Sequence, residues 1–441
     1  MDLGSKRAVS SKTGPAALLA LGVTLGLMPQ IDAQDVVPLT RGAERFDPVL
    51  PSFREQFGSS AAVDEDVLVI GAPDDREVGF VTGAAYLFVR GAEGWVFSRK
   101  LLPPAPGPNQ TIYQGFGTSV DVDGDLVAVG FPKVGPGNSI DGEVHVFDRN
   151  AGGLDQWGRL AILTPPPGCR EFGTDVALDG NRLAVDAGDD GGQFGGWYGD
   201  VHLFGRHVGG ENAWGSLASM QDSQCSDGYG QRVSLDDDVL VVAANPGRIF
   251  QGCAGFSSPA DPTAYVYERD FGGTGSWSLR TALTAPDPSS ATFAWSAEVR
   301  GDRIAIRDGA QVHLYERDAA HPQGWSLVTT VGRDDTAIAG MAFTGSSLVL
   351  AHGPRRSFAP SLYGPSAWVY DRSPSGSWEW TGLFLVPQAG LNDAFGAAVS
   401  LAGTELLVGA PNTASGTGAA YRIDLAPSPR PLPSAGAPLL R

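Results

Sequence analysis

The stretch FGTSVDVDGDLVAVGFP, residues 116–132, returns three more times in recognisable form. It reads FGSSAAVDEDVLVIGAP from Phe57, FGTDVALDGNRLAVDAG from Phe172 and FGAAVSLAGTELLVGAP from Phe395. A recurring phrase of this length commits the chain to an array of small units, each too short to bury its apolar faces alone. Weaker copies carry an aromatic anchor at Tyr229 and Trp295, and a worn one covers residues 337–343, which brings the count to seven units. Each unit continues with an alternating run such as AAYLFVR, EVHVFDR or TAYVYER, and six of them with a Trp-opened run at Trp95, Trp157, Trp214, Trp277, Trp325 and Trp378. Four short β-type runs per unit follow. No unit sustains a period near 3.6, so helix is excluded as the main element. Runs such as LVAV and VLVI are apolar at consecutive positions and need cover on both faces. The fold expected is all-β: a seven-bladed β-propeller of four-stranded antiparallel blades. The seventh unit ends at AAYRIDL without a Trp run, and residues 45–51, RFDPVLP, resemble SRKLLPP at the end of the first unit. This N-terminal segment is expected to complete the last blade and close the ring.

FG followed by GAP and then an aromatic strand resembles the FG-GAP repeat, the unit of the integrin α N-terminal propeller and of many secreted bacterial proteins. The resemblance spans residues 44–425 and implies a recognition or adhesion scaffold. In the integrin-like form the hairpin between FG and GAP carries a DxDxDGxxD calcium loop. Here the hairpins read DVDGDL, VDED, LDGN and LDDD, too short to wrap an ion that needs six or more oxygens, and Asp-Gly is turn chemistry in its own right. No cofactor is expected, and no residue is assigned as a metal ligand.

Residues 1–33 read as a secretory signal: Lys6, Arg7 and Lys12, then an apolar stretch over 16–28, then a small residue at Ala33. The expected organisation is signal peptide 1–33, propeller 34–425 and a Pro-rich tail 426–441, with a secreted, monomeric product and no membrane insertion. The formal net charge is −18, and the first 33 residues hold three basic and two acidic groups, so the mature chain stands at −19. Such a surface repels nucleic acid and anionic lipid. Export allows disulfides, and three cysteines leave at least one unpaired or bonded elsewhere. Cys225 with Cys253 would staple the longest loop; Cys169 with Cys225 across neighbouring blades is the alternative.

Chemistry needs singular groups, whereas structure repeats them. Arg90, Arg149, Arg206, Arg269, Arg317 and Arg372 share one register at the end of the third strand and read as rim ion pairs with Asp66, Asp123, Asp179 or their equivalents. His145, His202 and His313 share one strand position and read as structural. No enzyme motif stands in the sequence, so the chain is expected to be a binding protein and not an enzyme. The loops between second and third strands differ from unit to unit and carry aromatic and basic residues: Phe194, Trp197, Tyr198, Arg248, Phe250, Arg355, Arg356 and Tyr363. On a rigid ring such loops are where an extracellular protein or glycan would be held. Two rivals stand beside this reading. One is a polysaccharide-acting lyase or hydrolase using Asp189, Asp190, Asp261 and His352; the other is a structural envelope component without a ligand.

Overall fold

The computed structural model describes residues 36–38, 43–49, 51–78, 81–105, 112–135, 141–188, 199–221, 228–245, 261–332, 338–353, 365–386, 389–390 and 392–425. Both chain ends, with the expected signal peptide and Pro-rich tail, lie outside them. Seven antiparallel four-stranded sheets surround one axis. Their innermost strands are Ser60–Asp64, Val120–Asp123, Phe172–Asp179, Arg232–Asp236, Ala297–Arg300, Gly340–Phe343 and Val399–Ala402. The second strand is the most buried in each blade, and Val67–Ala72, Leu126–Phe131 and Val239–Ala244 are buried along their whole length, because neighbouring blades cover both faces.

Two blades depart from the plain pattern. The seventh is completed by Ala43–Phe46, paired antiparallel to Ala419–Asp424 with Arg45 opposite Tyr421. Closure by the N-terminal segment is therefore present, but the strand begins earlier than expected and stops at Phe46. Pro48 and Pro51 lack the N–H groups needed to extend the ladder, and Asp47 instead accepts a 2.9 Å bond from the Arg45 guanidinium. The sixth blade gains a fifth strand, Val36–Pro38, parallel to its outer strand Trp378–Leu385.

The repeated motifs meet at the seams between blades. The N–H of Gly117 in the second blade's FG bonds the carbonyl of Gly130 in its GFP at 2.9 Å, and Gly396 bonds Gly409 in the same way. Across the seam, a Cβ on Gly71 would lie 2.1 Å from the Gly117 carbonyl oxygen, and one on Gly130 would lie 2.0 Å from that of Gly173. Backbone thus packs directly on backbone, which explains why FG and GAP recur together. Ser60 and Ser119 tie the same seams, their hydroxyls donating to the carbonyls of Gly117 and Gly173 at 2.8 and 2.9 Å. A third glycine completes the contact: Gly83, Gly142 and Gly418, just before the third strand, form parallel bridges to Phe116, Phe172 and Phe57 of the next blade.

The FG aromatic is buried and stacks edge-on against a ring from its own third strand: Phe57 on Tyr86, Phe116 on His145, Tyr229 on Tyr265. The fifth blade corrects the sequence reading. Its buried anchor is Phe293, fully enclosed beside His313, while Trp295 is only half-buried at the channel mouth. Ala294, at φ +55°, stands where five of the other blades place glycine, so the motif is disguised. In the worn sixth copy Ile338 fills the aromatic position, and Ala339 makes the equivalent backbone bond to Ala351.

On the opposite rim the repeated arginines reach back one blade. Arg149 bonds Asp66 at 2.9 Å, Arg206 bonds Asp148 at 2.8 Å, Arg372 bonds Glu316 at 2.9 Å and Arg90 bonds Glu405 of the seventh blade at 3.0 Å. Three of them also lie over the Trp opening their own outer strand: Arg90 on Trp95, Arg149 on Trp157 and Arg317 on Trp325. Arg269 differs, pairing with its neighbour Asp270 at 3.9 Å. Asp123 and Asp179 do not serve as the partners expected for these arginines. Their carboxylates accept backbone N–H groups of Gly180 and Asp237 in the next blade's hairpin.

Three substitutions test this construction. Gly130→Ala should lose about 3 kcal/mol, because neither the added methyl nor the Gly173 carbonyl can yield. Gly188→Ala, with open space around it, should stay within about 0.5 kcal/mol of wild type in the same denaturant titration. Phe46 is buried against Phe88 at 5.0 Å, so Phe46→Ala should cost about 3 kcal/mol and lower the melting temperature; an unchanged transition would mean that the closing strand contributes nothing.

Candidate functional site

An inner strand of a propeller has no neighbour on its axial edge, so its N–H groups need partners. Here the preceding blade supplies them. Ser234 Oγ accepts from Val299 N–H at 3.0 Å, Ser400 Oγ from Val63 at 3.1 Å, Asp175 from Val233 at 2.9 Å, Asp121 from Leu178 at 2.7 Å and Glu298 from Phe343 at 2.9 Å. These side chains line an axial channel of about 540 Å³. Its charge is concentrated in the second to fifth blades, which supply Asp121, Asp175, Arg232, Glu298, Arg300 and Arg307 besides hairpin aspartates; the first blade adds Asp64, and the sixth and seventh contribute Ser, Ala, Gly and apolar groups.

In two blades a charged residue takes the place of the GAP glycine. At the third blade's GAP position stands Asp186, buried and accepting the N–H of Asp175, which replaces the seam serine and pairs with Arg232 at 3.3 Å. At the fifth blade's position stands Arg307, whose guanidinium donates to the carbonyls of Ile338 and Ala339, the latter at 3.0 Å. Burial pushes the Asp121 and Glu298 carboxyls up to about 7 each, despite the charge of Arg300 nearby, and raises Asp186 well above its ordinary value. The channel thus holds carboxyls able to carry protons near neutrality, each already committed to a backbone bond.

The face carrying FG and GAP holds two further clusters. In the first blade Glu55 and Asp75 are fully buried together; the Tyr86 hydroxyl donates to Glu55 at 3.0 Å and the Lys100 ammonium to Asp75 at 2.8 Å. Burial, reinforced by Asp75, pushes Glu55 up to about 8. Burial also opposes ionisation of Asp75, but bonds from Glu55 and Lys100 outweigh it and hold its carboxyl below the usual range. The pair therefore keeps one proton, on Glu55. At the seam of the second and third blades, Cys169 is a free thiol beside Asp200 and His202, with Sγ 3.5 Å from Oδ2 and 3.4 Å from Nε2. Burial and then Asp200 push this thiol up to about 12, and burial lowers the His202 imidazole against the opposing charge of Asp200.

The eight sequence-assigned ligand residues, Phe194, Trp197, Tyr198, Arg248, Phe250, Arg355, Arg356 and Tyr363, lie outside the described residues, as do Cys225 and Cys253 with their expected bridge, and Asp189 and Asp190. Of the remaining rival catalytic residues, His352 is buried against Trp368 in the sixth blade and Asp261 is exposed before the fourth blade's third strand. The channel carboxyls were hidden in the sequence because turn aspartates and seam aspartates look alike. The Glu55–Asp75 pair had one signal, a glutamate two residues before an FG.

Glu55 carries its own pH test. Its carboxyl ionises near 4.5 when exposed and near 8 when folded. The stability it supplies is fully present below about pH 4.5 and is lost as pH rises toward 8. In Glu55→Gln, where nothing titrates, the melting temperature relative to wild type should climb steadily between pH 5 and pH 8; a difference that stays flat over that range would refute the assignment.

Residues 52–88 match the family model described as FG-GAP repeat, a span that runs from before the first blade's inner strand into its third, aromatic strand Ala84–Gly91. No curated protein matches the chain. Among solved structures it is similar to Hsv2 of Kluyvelomyces marxianus, at 11% identity and a TM-score of 0.43, over 80% of this chain and 90% of that one. A likeness at that level adds nothing to the argument. The matched repeat and the seven four-stranded blades together fit an FG-GAP β-propeller protein.

Proposed function

We propose that this propeller is a secreted recognition module that holds an extracellular protein or glycan on its loop-bearing face. The observation that carries the reading is the inequality of the two faces. Hairpins joining first and second strands have two residues in six blades and three in the sixth, at 344–346. Connections between second and third strands run from two residues, 309–310, to eighteen, 245–262. A ring whose one rim is uniform and ion-paired while the other varies freely has the design of a scaffold for binding loops. In the second blade the loop face even builds its own ribbon, Ile112–Gln114 paired with Lys133–Gly135. Among the described residues no helix is long and apolar enough to cross a membrane. Aromatic rings at Trp197, Tyr198 and Tyr363 suit sugar faces or aromatic side chains, and Arg355 with Arg356 suits a carboxylate.

The purified protein should be screened on glycan arrays and against extracellular protein fractions. Retained binding that falls at least tenfold in Trp197→Ala and Tyr363→Ala, with an unchanged melting temperature, is the expected result. Release of reducing or unsaturated ends from a polysaccharide panel would replace this reading with the enzymatic one, and absence of both binding and turnover would leave the structural-component reading.

A further inference from the structure

Cys169, Asp200 and His202 come from two segments brought together at one seam. Cys169 lies in the connection between the outer strand Gly158–Leu163 of the second blade and the third blade's inner strand, while Asp200 and His202 open the strand Asp200–Gly205. Among the described residues they are the one group of three His, Cys, Asp or Glu side chains whose ligand atoms all lie within 4.8 Å of one another. We infer that they form a three-ligand site for a zinc-class transition-metal ion, with a fourth position left to water or an exogenous ligand.

The spacing is that of a coordination shell. With metal–sulfur and metal–nitrogen bonds of about 2.3 and 2.0 Å, tetrahedral geometry separates the sulfur from an adjacent nitrogen or oxygen by about 3.5 Å. The observed separations from Cys169 Sγ are 3.4 Å to His202 Nε2 and 3.5 Å to Asp200 Oδ2. The supporting groups are also placed as a metal site requires. His202 Nδ1 meets Ser219 Oγ at 2.7 Å, which leaves Nε2 to face the thiol, and the Gln221 amide donates to Asp200 Oδ2 at 3.2 Å. One thiolate, one imidazole and one carboxylate form a mixed donor set that suits zinc and its neighbours and disfavours calcium or magnesium.

The other blades supply internal controls. His145 and His313 occupy the register position of His202, each sits against its own blade's anchor, Phe116 or Phe293, and each faces one carboxylate, Glu143 at 2.9 Å or Asp308 at 3.3 Å. Only the third blade adds a thiol to this pairing among the described residues. The repeated histidine therefore has a structural role in all three blades and acquires a ligand set in one. The inference does not rest on the loop-binding proposal, since no loop ligand takes part in it.

The test uses the full-length chain, reduced with a phosphine and stripped of metal, titrated with zinc alone and with cobalt(II) alone. One equivalent of zinc should bind, and cobalt should give a thiolate-to-metal charge-transfer band with the visible bands of tetrahedral coordination. Cys169→Ala should abolish the charge-transfer band, Asp200→Asn should weaken zinc at least tenfold and Ser219→Ala about tenfold. His145→Gln and His313→Gln should leave both readouts unchanged. Because the buried His202→Gln could unfold the blade, the half-exposed Cys169→Ala, its fold checked by circular dichroism, is the deciding variant. No cobalt band in wild type, a band that survives in Cys169→Ala, or one lost in Cys225→Ala or Cys253→Ala instead would each overturn the site.

Discussion

The structure depends on one contact: the carbonyl of the glycine in an FG dipeptide resting on the α-carbon of a glycine in the preceding blade. Side chains of any size would separate the blades there, and a Cβ on Gly71, Gly130 or Gly409 would lie within about 2.1 Å of that oxygen. The approach lets the next blade's aromatic fall into a pocket formed by its own third strand, where Phe57, Phe116 and Phe172 are wholly enclosed. Burial of each such ring is worth about 2–3 kcal/mol, repeated around the circle. Glycine and phenylalanine are thus two halves of one device, the first permitting the approach and the second gaining from it.

A ring of sheets has a second problem, the unpaired inner edges. Barrels remove edges by pairing strands; this propeller removes them by lending side chains. Ser400, Asp121, Asp175, Ser234 and Glu298 each cap a backbone N–H of the following inner strand. The hairpin aspartates do the same one turn further on, Asp64 for Gly124 and Asp236 for Gly301. The Asp-rich hairpins therefore follow from edge satisfaction between blades as well as from turn formation, and this is why a short DVDGDL loop is retained without a calcium shell.

Architecture was readable because it is written seven times. The blade count, the four runs per blade and closure by the N-terminal segment all come from repetition. Detail failed where one copy strays: Ala294 in place of glycine hid the Phe293 anchor and drew attention to Trp295, and the prolines after Phe46 cut the closing strand short of residue 51. The cross-blade roles of Asp123 and Asp179 were also illegible, since a turn residue and a clasp between blades have the same letter. Sites are harder still. Glu55 and Asp75 are separated by the whole first hairpin, and Cys169 reaches His202 only because the FG seam folds the incoming connection over the third strand.

Wear in a repeat is itself informative once its physical purpose is known. Where the seam glycine becomes Asp186 or Arg307, close approach is lost and must be replaced, and the replacements are side-chain hydrogen bonds to the backbone of Asp175, Ile338 and Ala339. Polar groups at a seam are costly unless satisfied, and these bonds satisfy them. The charged departures at the seam glycine fall in the third and fifth blades, within the charged side of the channel, and the third blade also carries the thiol–imidazole–carboxylate group. A scaffold that repeats one solution for stability differentiates only where it stops repeating, and the third blade is where this chain departs from its own pattern in several neighbouring positions at once.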